Sequence, residues 1–239
     1  MHFETHDSKK NLQYFLKKGV FDNNEVYYVI IPVKGYSTKI PVQDNIIVVE
    51  KDNVGYDFGA WATGLRHINT ADFDYFIFIN DTVRGPFLPR YVSNEQKWYV
   101  MFCNLINDKV KLSGLSINYL PWNKKGNKHV QSMIFCTDKI GLDILKPKIF
   151  NLSCAEYDAI VKKSKRDFII KFEIGMSTTI IENGYDISAL YVCDIQKVET
   201  GDIWYNNKYY KSTMNPFEVM FVKTNRVNSD IIDLYTNML

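Results

Sequence analysis

The chain alternates between two patterns of apolar positions, and the alternation predicts a layered α/β fold. Residues 11–18 carry apolar side chains at helical spacing, and Gly19 is a plausible stop for that helix. The runs 26–33, 45–50 and 73–79 are instead continuously apolar and rich in β-branched and aromatic residues. Because strands covered on both faces carry such runs, we expect a mainly parallel, twisted central sheet flanked by helices.

The rest of the chain continues this pattern. Further helices are predicted over 60–68, 138–145, 155–163 and 172–181. Strands or strand-flanking segments are predicted over 98–105, 110–117, 132–136 and 187–192. No linker, repeat or low-complexity tract divides the sequence, so residues 1–239 are predicted to form a single domain.

Composition narrows the class of protein. The net charge of +2 is small and evenly spread, which gives no argument for a nucleic-acid partner. The N-terminal residues are polar and the apolar runs are short, so neither a secretory signal nor a transmembrane segment is predicted. Cys103, Cys136, Cys154 and Cys193 are widely spaced, which favours reduced core thiols in a cytoplasmic protein.

The strongest indication of chemistry is the strand 73–79 that runs directly into Asn80-Asp81-Thr82. A carboxylate at the carboxyl end of a buried strand faces the crevice in which open α/β sheets bind ligands. Asp81 could hold a divalent cation, Mn²⁺ or Mg²⁺, that bridges two phosphates, and Arg84 could pair with a phosphate oxygen. A simple strand-ending turn with a solvated Arg84 explains the segment equally well.

A second loop follows the strand 45–50 and reads Asn53-x-Gly55-x-Asp57-x-Gly59 before a helix. Glycines allow close approach of the backbone, and a helix N-terminus favours anionic groups. The spacing is neither that of a Rossmann fingerprint nor that of a P-loop, and an Asx-turn that caps the helix is the alternative. Both loops leave the same edge of a parallel sheet, so together they suit a nucleotide diphosphate.

These residues carry a resemblance to a known group. The stretches 53–61 and 76–86 resemble GT-A glycosyltransferases related to rhamnan-synthesis and polysaccharide-biosynthesis enzymes of bacteria, algae and large DNA viruses. Three further segments are similar to the group in matching order, namely 129–132, 172–185 and 215–226. The resemblance implies a GT-A-like domain that transfers sugar from a UDP-, GDP- or dTDP-sugar to a hydroxyl acceptor on a glycan.

The resemblance also implies roles for the candidate residues. Those that would bind the donor nucleotide and its phosphates are Asn53, Gly55, Asp57, Asn80 and Arg84. Those that would contact the sugar or the acceptor are His129, Gln131 and Ser132. Independently of the resemblance, Lys223 and Arg226 could touch phosphate, and a solvated basic tail explains them equally well. Asp81 would hold the metal, and Glu173 would act as general base of an inverting transferase, with Asp138 in reserve. Each carboxylate has a structural alternative, since Glu173 could stabilise a helix start and Asp138 could cap a helix.

Two departures from the group keep other functions open. The metal motif is Asn-Asp-Thr instead of Asp-x-Asp, and only a few residues precede the first helix, where the group has a strand that is here either short or missing. A non-catalytic domain that binds sugar or nucleotide is one alternative function. A nucleotidyltransferase is another, although the basic glycine-rich loop expected after its first strand is absent.

Overall fold

The computed structural model describes residues 1–89, 91–92, 97–119, 128–191, 204 and 214–238. Its strands are β1 Tyr28–Ile30, β2 Ile46–Val48, β3 Tyr75–Ile79, β4 Val83–Arg84, β5 Val110–Tyr119, β6 Lys128–Val130, β7 Ile134–Asp138, β8 Asp186–Tyr191 and β9 Val222–Lys223. Its helices are α1 His6–Lys18, α2 Tyr56–Leu65, α3 Trp98–Cys103, α4 Lys139–Leu145, α5 Cys154–Lys163, α6 Lys165–Phe168, α7 Gly175–Glu182, α8 Pro216–Val219 and α9 Ser229–Met238. Short π-helical segments cover Lys146–Phe150 and Ile169–Ile174.

The α/β class is confirmed, but the central sheet is mixed and not mainly parallel. β7 lies between β3 and β5 and runs antiparallel to both, and β6 also runs antiparallel to β5. β8 is parallel to β5, and β1 pairs in parallel with β2 in a separate ladder. The expectation of a parallel sheet was wrong because a continuous apolar run records burial on both faces and carries no information about strand direction.

Two apolar cores explain why the strand residues are apolar on both sides. Along β3, Phe76 and Phe78 enter a core with α2, α4, α5 and α7. Ile77 and Ile79 pack against a second core that includes residues of α1, α3 and α9. Within the described residues, no helix is both long enough and apolar enough to cross a membrane. That residues 1–239 form a single domain stays a prediction.

Helix boundaries follow from local capping. α1 begins at His6, earlier than its apolar pattern indicates, because Thr5 and Ser8 form a capping box. The backbone N–H of Ser8 donates to Thr5 Oγ1 at 3.2 Å, and that of Thr5 donates to Ser8 Oγ at 2.7 Å. The predicted strand over 98–105 was wrong, since α3 covers Trp98–Cys103. Trp98 and Phe102 stand four residues apart and are both buried, a helical spacing hidden in a run of β-prone residues.

Candidate functional site

The loops that follow β2 and β3 meet at the carboxyl end of β3. Asn80 is only 8% exposed, and its Nδ2 donates to Asp57 Oδ2 at 3.1 Å. Its Oδ1 accepts from the N–H and the hydroxyl of Thr82 at 3.1 and 2.7 Å. The Asn80 amide is therefore held in one orientation and joins the two loops. The structure thus brings Asp57 and Asn80 together, although they lie 23 positions apart in the chain.

Asp81 stands beside this pair and is largely enclosed. Its Oδ2 accepts from the backbone N–H of Phe3 at 2.5 Å and lies 3.9 Å from His2 Nδ1. Burial raises the pKa of Asp81 to about 6, and the nearby negative charge of Asp57 acts in the same direction. Desolvation also lowers the pKa of His2, which favours its neutral form. No Lys or Arg side chain of the described residues forms an ion pair with Asp81.

Asp57 is perturbed for a related reason. It lies in the first turn of α2, where burial is the main cause that raises the pKa of its carboxyl group. The charge of Glu173 raises this pKa further. The amino group of Met1, the hydrogen bond from Asn80 and the charge of Lys223 oppose the rise. Clustered carboxylates whose pKa values burial has raised are typical of functional sites.

Glu173 lies close enough to Asp57 for its charge to raise the pKa of that carboxyl group. It is half-buried in the π-helical segment Ile169–Ile174, inside a helical stretch that continues into α7. This position is not the start of a helix, so stabilisation by a helix dipole does not account for it. Its Oε1 accepts from the backbone N–H of Ser132 at 3.0 Å, and no hydrogen bond to Oε2 occurs within the described part of the chain. π-helical segments of this kind occur frequently at functional sites.

The glycine-rich loop is shaped by a residue that sequence reasoning missed. Lys51 is buried and its Nζ donates to the carbonyls of Asp52 and Val54 at 2.7 and 2.5 Å. Gly55 follows with φ +86°, and a Cβ there would lie 2.8 Å from the carbonyl oxygen of Cys154, so the loop requires glycine. Asn53 is exposed at the tip. The only sequence signal for Lys51 is its place directly after the apolar run that forms β2.

Asp138 lies at the opposite end of the sheet. It pairs with Tyr75 at the start of β3, whereas Asn80 follows the end of that strand. Its Oδ1 accepts from the backbone N–H of Gly141 at 2.8 Å and caps α4, and its Oδ2 lies 2.8 Å from Lys111 Nζ. Asp138, the second candidate for the general base, is thus separated from Asp57 and Asp81 by the length of β3 and has a structural role.

Arg84 also has a structural role. Its side chain is 3% exposed, and its Nε donates to Asn11 Oδ1 at 2.8 Å. Its Nη1 donates to Asp233 Oδ1 at 2.5 Å and to Thr236 Oγ1 at 3.1 Å. These contacts tie α1 to α9 and leave the guanidinium no free face for a phosphate. Lys223, whose charge acts on Asp57, is the cationic side chain nearer to the crevice.

Of the expected sugar-binding residues, Ser132 makes the most direct contact with the cluster, through Glu173. His129 is buried in β6 and pairs with Asn118 of β5. Gln131 Oε1 accepts from Ser116 Oγ at 2.7 Å and from Trp204 Nε1 at 2.9 Å, which holds its side chain in the protein interior. Trp122, which could stack on a sugar face or a base, and Cys193 lie outside the described residues.

The described carboxylates are too few to surround a metal ion on their own. They suit a cation that is also coordinated by a bound substrate. Among the described residues, no group of three His, Cys, Asp or Glu side chains could hold a metal ion. Asp57 is close enough for its charge to raise the pKa of Asp81. Mg²⁺ sites in phosphate-handling proteins commonly use one or two carboxylates together with phosphate oxygens of the substrate. Asp81, as a single carboxylate, therefore fits a metal that arrives with a phosphorylated ligand.

Fold and site together define an α/β protein with a cluster of acidic side chains at the carboxyl end of β3. The family described as "Rhamnan synthesis protein F" matches residues 35–235, and the chain belongs to this family. Two sequences from Vibrio anguillarum, both named virulence protein VirA, are 26% identical to it over 189 residues. The match covers 73% of this chain and 53% of theirs, so the chain spans about half the length of these relatives. The expected resemblance to rhamnan- and polysaccharide-synthesis proteins is confirmed at this level.

Proposed function

We propose that the chain is a glycosyltransferase of GT-A type that moves a sugar from a nucleotide-diphosphate sugar to a hydroxyl group of a polysaccharide. The observation that carries the proposal is that Asp57 and Asp81 flank the Asn80 amide at the carboxyl end of β3, where the charge of Glu173 also acts on Asp57. Two further charged candidates, Arg84 and Asp138, are engaged in structural contacts. Membership of a rhamnan-synthesis family supports a role in polysaccharide synthesis.

The donor nucleotide would bind at the glycine-rich loop whose carbonyls accept hydrogen bonds from Lys51. Gly55 fixes the path of this loop against Cys154, and Asp57 would accept hydrogen bonds from the ribose hydroxyls. Asn53, at the exposed tip, would contact the nucleoside. The N-terminus of the ten-residue helix α2 and the charge of Lys223 would favour the diphosphate.

Asp81 would hold a divalent cation against the diphosphate. When bound, such an ion neutralises the negative charge that develops on the nucleotide diphosphate as it leaves. The raised pKa of Asp81 implies that its carboxylate becomes available as the pH rises through about 6. We therefore expect metal-dependent donor binding to strengthen over that range.

Glu173 would act as the general base. Its Oε1 is held by the N–H of Ser132, which leaves Oε2 to take the proton of the acceptor hydroxyl. As that proton leaves, the acceptor oxygen bonds to the anomeric carbon and the bond from this carbon to the diphosphate oxygen breaks. The nucleotide diphosphate departs from the opposite face, so the configuration of the sugar is inverted.

The test combines binding with turnover on the purified chain. UDP-, GDP- and dTDP-sugars are added with and without Mn²⁺ while the melting temperature and the release of nucleoside diphosphate are followed. We expect one nucleotide class to raise the melting temperature in the presence of metal and to be hydrolysed or transferred. Stabilisation without any turnover would favour a non-catalytic binding domain. Formation of pyrophosphate from a nucleoside triphosphate and a sugar phosphate would favour a nucleotidyltransferase.

A further inference from the structure

His2 is a buried histidine that the proposed function does not use. The residue is only 2% exposed, and neither Nδ1 nor Nε2 of its ring has a hydrogen-bond partner among the described residues. Polar side-chain atoms in a protein interior are nearly always satisfied, because leaving them unpaired costs free energy. A buried imidazole with both nitrogens unpaired therefore points to a group that binds there.

Backbone hydrogen bonds fix His2 next to the candidate site. The N–H of His2 donates to the carbonyl of Ile31 at 2.9 Å, and the carbonyl of His2 accepts from the N–H of Val33 at 2.8 Å. The following residue, Phe3, donates its N–H to Asp81 Oδ2 at 2.5 Å. Because both neighbouring contacts are made by the backbone, the side chain of His2 is held beside the carboxylate of Asp81.

The two ring nitrogens of His2 face two different carboxylates. Nδ1 lies 3.9 Å from Asp81 Oδ2, and Nε2 lies 3.6 Å from Glu4 Oε2. The carboxylate of Glu4 is fixed, since it accepts from the N–H and hydroxyl groups of Ser37 and Thr38, and these hydrogen bonds lower the pKa of Glu4 to about 2. Its negative charge favours the ring proton on Nε2, which leaves the lone pair of Nδ1 facing Asp81.

This order of groups is the one found around metal-binding histidines. A histidine that binds a metal through one nitrogen commonly presents its other N–H to a carboxylate, which fixes the tautomer. Two ligands of one cation, with bonds of roughly 2.1 Å each, lie at most about 4.2 Å apart. Nδ1 of His2 and Oδ2 of Asp81 meet this condition at 3.9 Å. No third His, Cys, Asp or Glu joins them within the described residues, so other positions would belong to oxygens of a bound diphosphate.

We propose that His2 Nδ1 is a second protein ligand, beside Asp81, of the divalent cation, and that this nitrogen–oxygen pair selects a first-row transition ion such as Mn²⁺ over Mg²⁺. The inference rests on the proposed function, in which a nucleotide diphosphate supplies the remaining oxygen ligands. A carboxylate alone accepts Mg²⁺ and Mn²⁺ alike, whereas an imidazole nitrogen favours transition ions. His2 would therefore determine which metal the site uses.

The test follows Mn²⁺ together with inorganic pyrophosphate, which supplies diphosphate oxygens without a base or a sugar. Electron spin-echo spectroscopy of bound Mn²⁺ detects a coordinated nitrogen nucleus, and pyrophosphate, water and carboxylates contain none. We expect a nitrogen coupling in the wild-type chain that is absent in His2→Leu. Calorimetry should show at least about a tenfold loss of Mn²⁺ affinity in this variant, with little change in Mg²⁺ affinity.

Two further variants separate coordination from packing. His6→Leu is the matched control, because His6 is exposed at the start of α1, and it should keep both the nitrogen coupling and the Mn²⁺ affinity. His2→Ala leaves space where the ring was, so added imidazole should restore the nitrogen coupling in that variant. Melting temperatures of all variants show whether the fold is retained. A histidine that only fills space would give no nitrogen coupling in any of these chains.

Several outcomes would overturn the proposal. Mn²⁺ that binds without nitrogen coupling in the wild type, or with the same coupling in His2→Leu, would show that His2 is not a ligand, and so would a lack of any Mn²⁺ binding. A nitrogen coupling that survives Asp81→Asn would place the ion on His2 and the amino group of Met1, away from Asp81. Glycosyl transfer is judged separately, by turnover of the nucleotide sugars, so the proposed function can stand when this inference fails.

Discussion

Two aspartates near opposite ends of β3 show how the same residue type acquires different roles. Asp81 follows the end of β3, whereas Asp138 ends β7 beside the start of β3. Asp138 is balanced by Lys111 and by the first turn of α4. Asp81 accepts one backbone hydrogen bond, and burial raises its pKa to about 6.

The difference between them lies in how the surrounding protein compensates the charge. A carboxylate that caps a helix and pairs with a buried lysine is stabilised as an anion by the fold itself. A carboxylate that is desolvated beside a second one is left to be stabilised by something that binds. Position at a strand end is therefore a weak indication of function until the neighbours of the charge are known.

The largest expected effect tests which carboxylate acts as the base. Glu173→Gln should lower turnover about 10²- to 10⁴-fold and leave donor affinity nearly unchanged, because the amide keeps the contact with Ser132 but cannot take a proton. Turnover and calorimetric donor binding are measured on one preparation. Glu182→Gln, an exposed change in α7, is the matched control. Turnover close to wild type in the Glu173 variant would remove this residue from the chemistry.

Asp138→Ala should lower stability and leave turnover unchanged. The change removes the cap of α4 and leaves the buried Lys111 without its partner, so the free energy of unfolding should fall by roughly 2–5 kcal/mol. Denaturant unfolding measures the loss. Adding Lys111→Met to the variant should restore part of the stability. If turnover per folded molecule fell as well, Asp138 would belong to the active site and the contrast with Asp81 would not hold.

Asp81→Asn should raise the free energy of unfolding, whereas Asp138→Ala should lower it. The folded-state pKa of about 6 lies above the ordinary aspartate pKa of 3.8, so the stability contributed by Asp81 is present in full below pH 3.8 and is lost as the pH rises through about 6. The Asn variant has no carboxyl group to ionise, so it does not lose this stability as the pH rises. Its unfolding free energy should therefore exceed that of the wild type at pH 7 by roughly 1–3 kcal/mol.

The same Asp81 variant should lose metal-dependent turnover. Unfolding is measured from pH 4 to pH 8 and compared with wild type, since the gap between the two curves should open across this range. Parallel curves would show that the carboxylate is not desolvated. Turnover that survives both the substitution and a chelator would separate Asp81 from any metal.

The smallest expected effect concerns Asp57. Asp57→Asn replaces a charged hydrogen-bond acceptor by a neutral one, a difference of about 1 kcal/mol, so affinity for the free nucleotide should fall roughly five- to tenfold. Calorimetry with the nucleoside diphosphate alone checks this. Unchanged affinity would indicate that Asp57 serves only to begin α2 and to hold Asn80.

Local patterns predicted much of the fold and some of the site. The strands β1, β2 and β3 and the helices α1 and α5 follow from apolar spacing and capping residues, which are properties of neighbouring positions. The two loops that meet at the crevice were recognisable from their glycine and acidic residues. Lys51 was not, because its role depends on carbonyls of a loop whose path is decided by packing against Cys154.

Sequence alone determined which segments are buried and which residues can carry charge at the ends of strands. Tertiary structure decided the antiparallel direction of β7, the burial of Arg84 against α9 and the separation of Asp138 from Asp81. The physical reason is that the spacing of apolar residues along the chain indicates only which side chains are buried. Direction, pairing and desolvation depend on residues that lie far away in the chain, such as Lys111 opposite Asp138 and Phe3 beside Asp81.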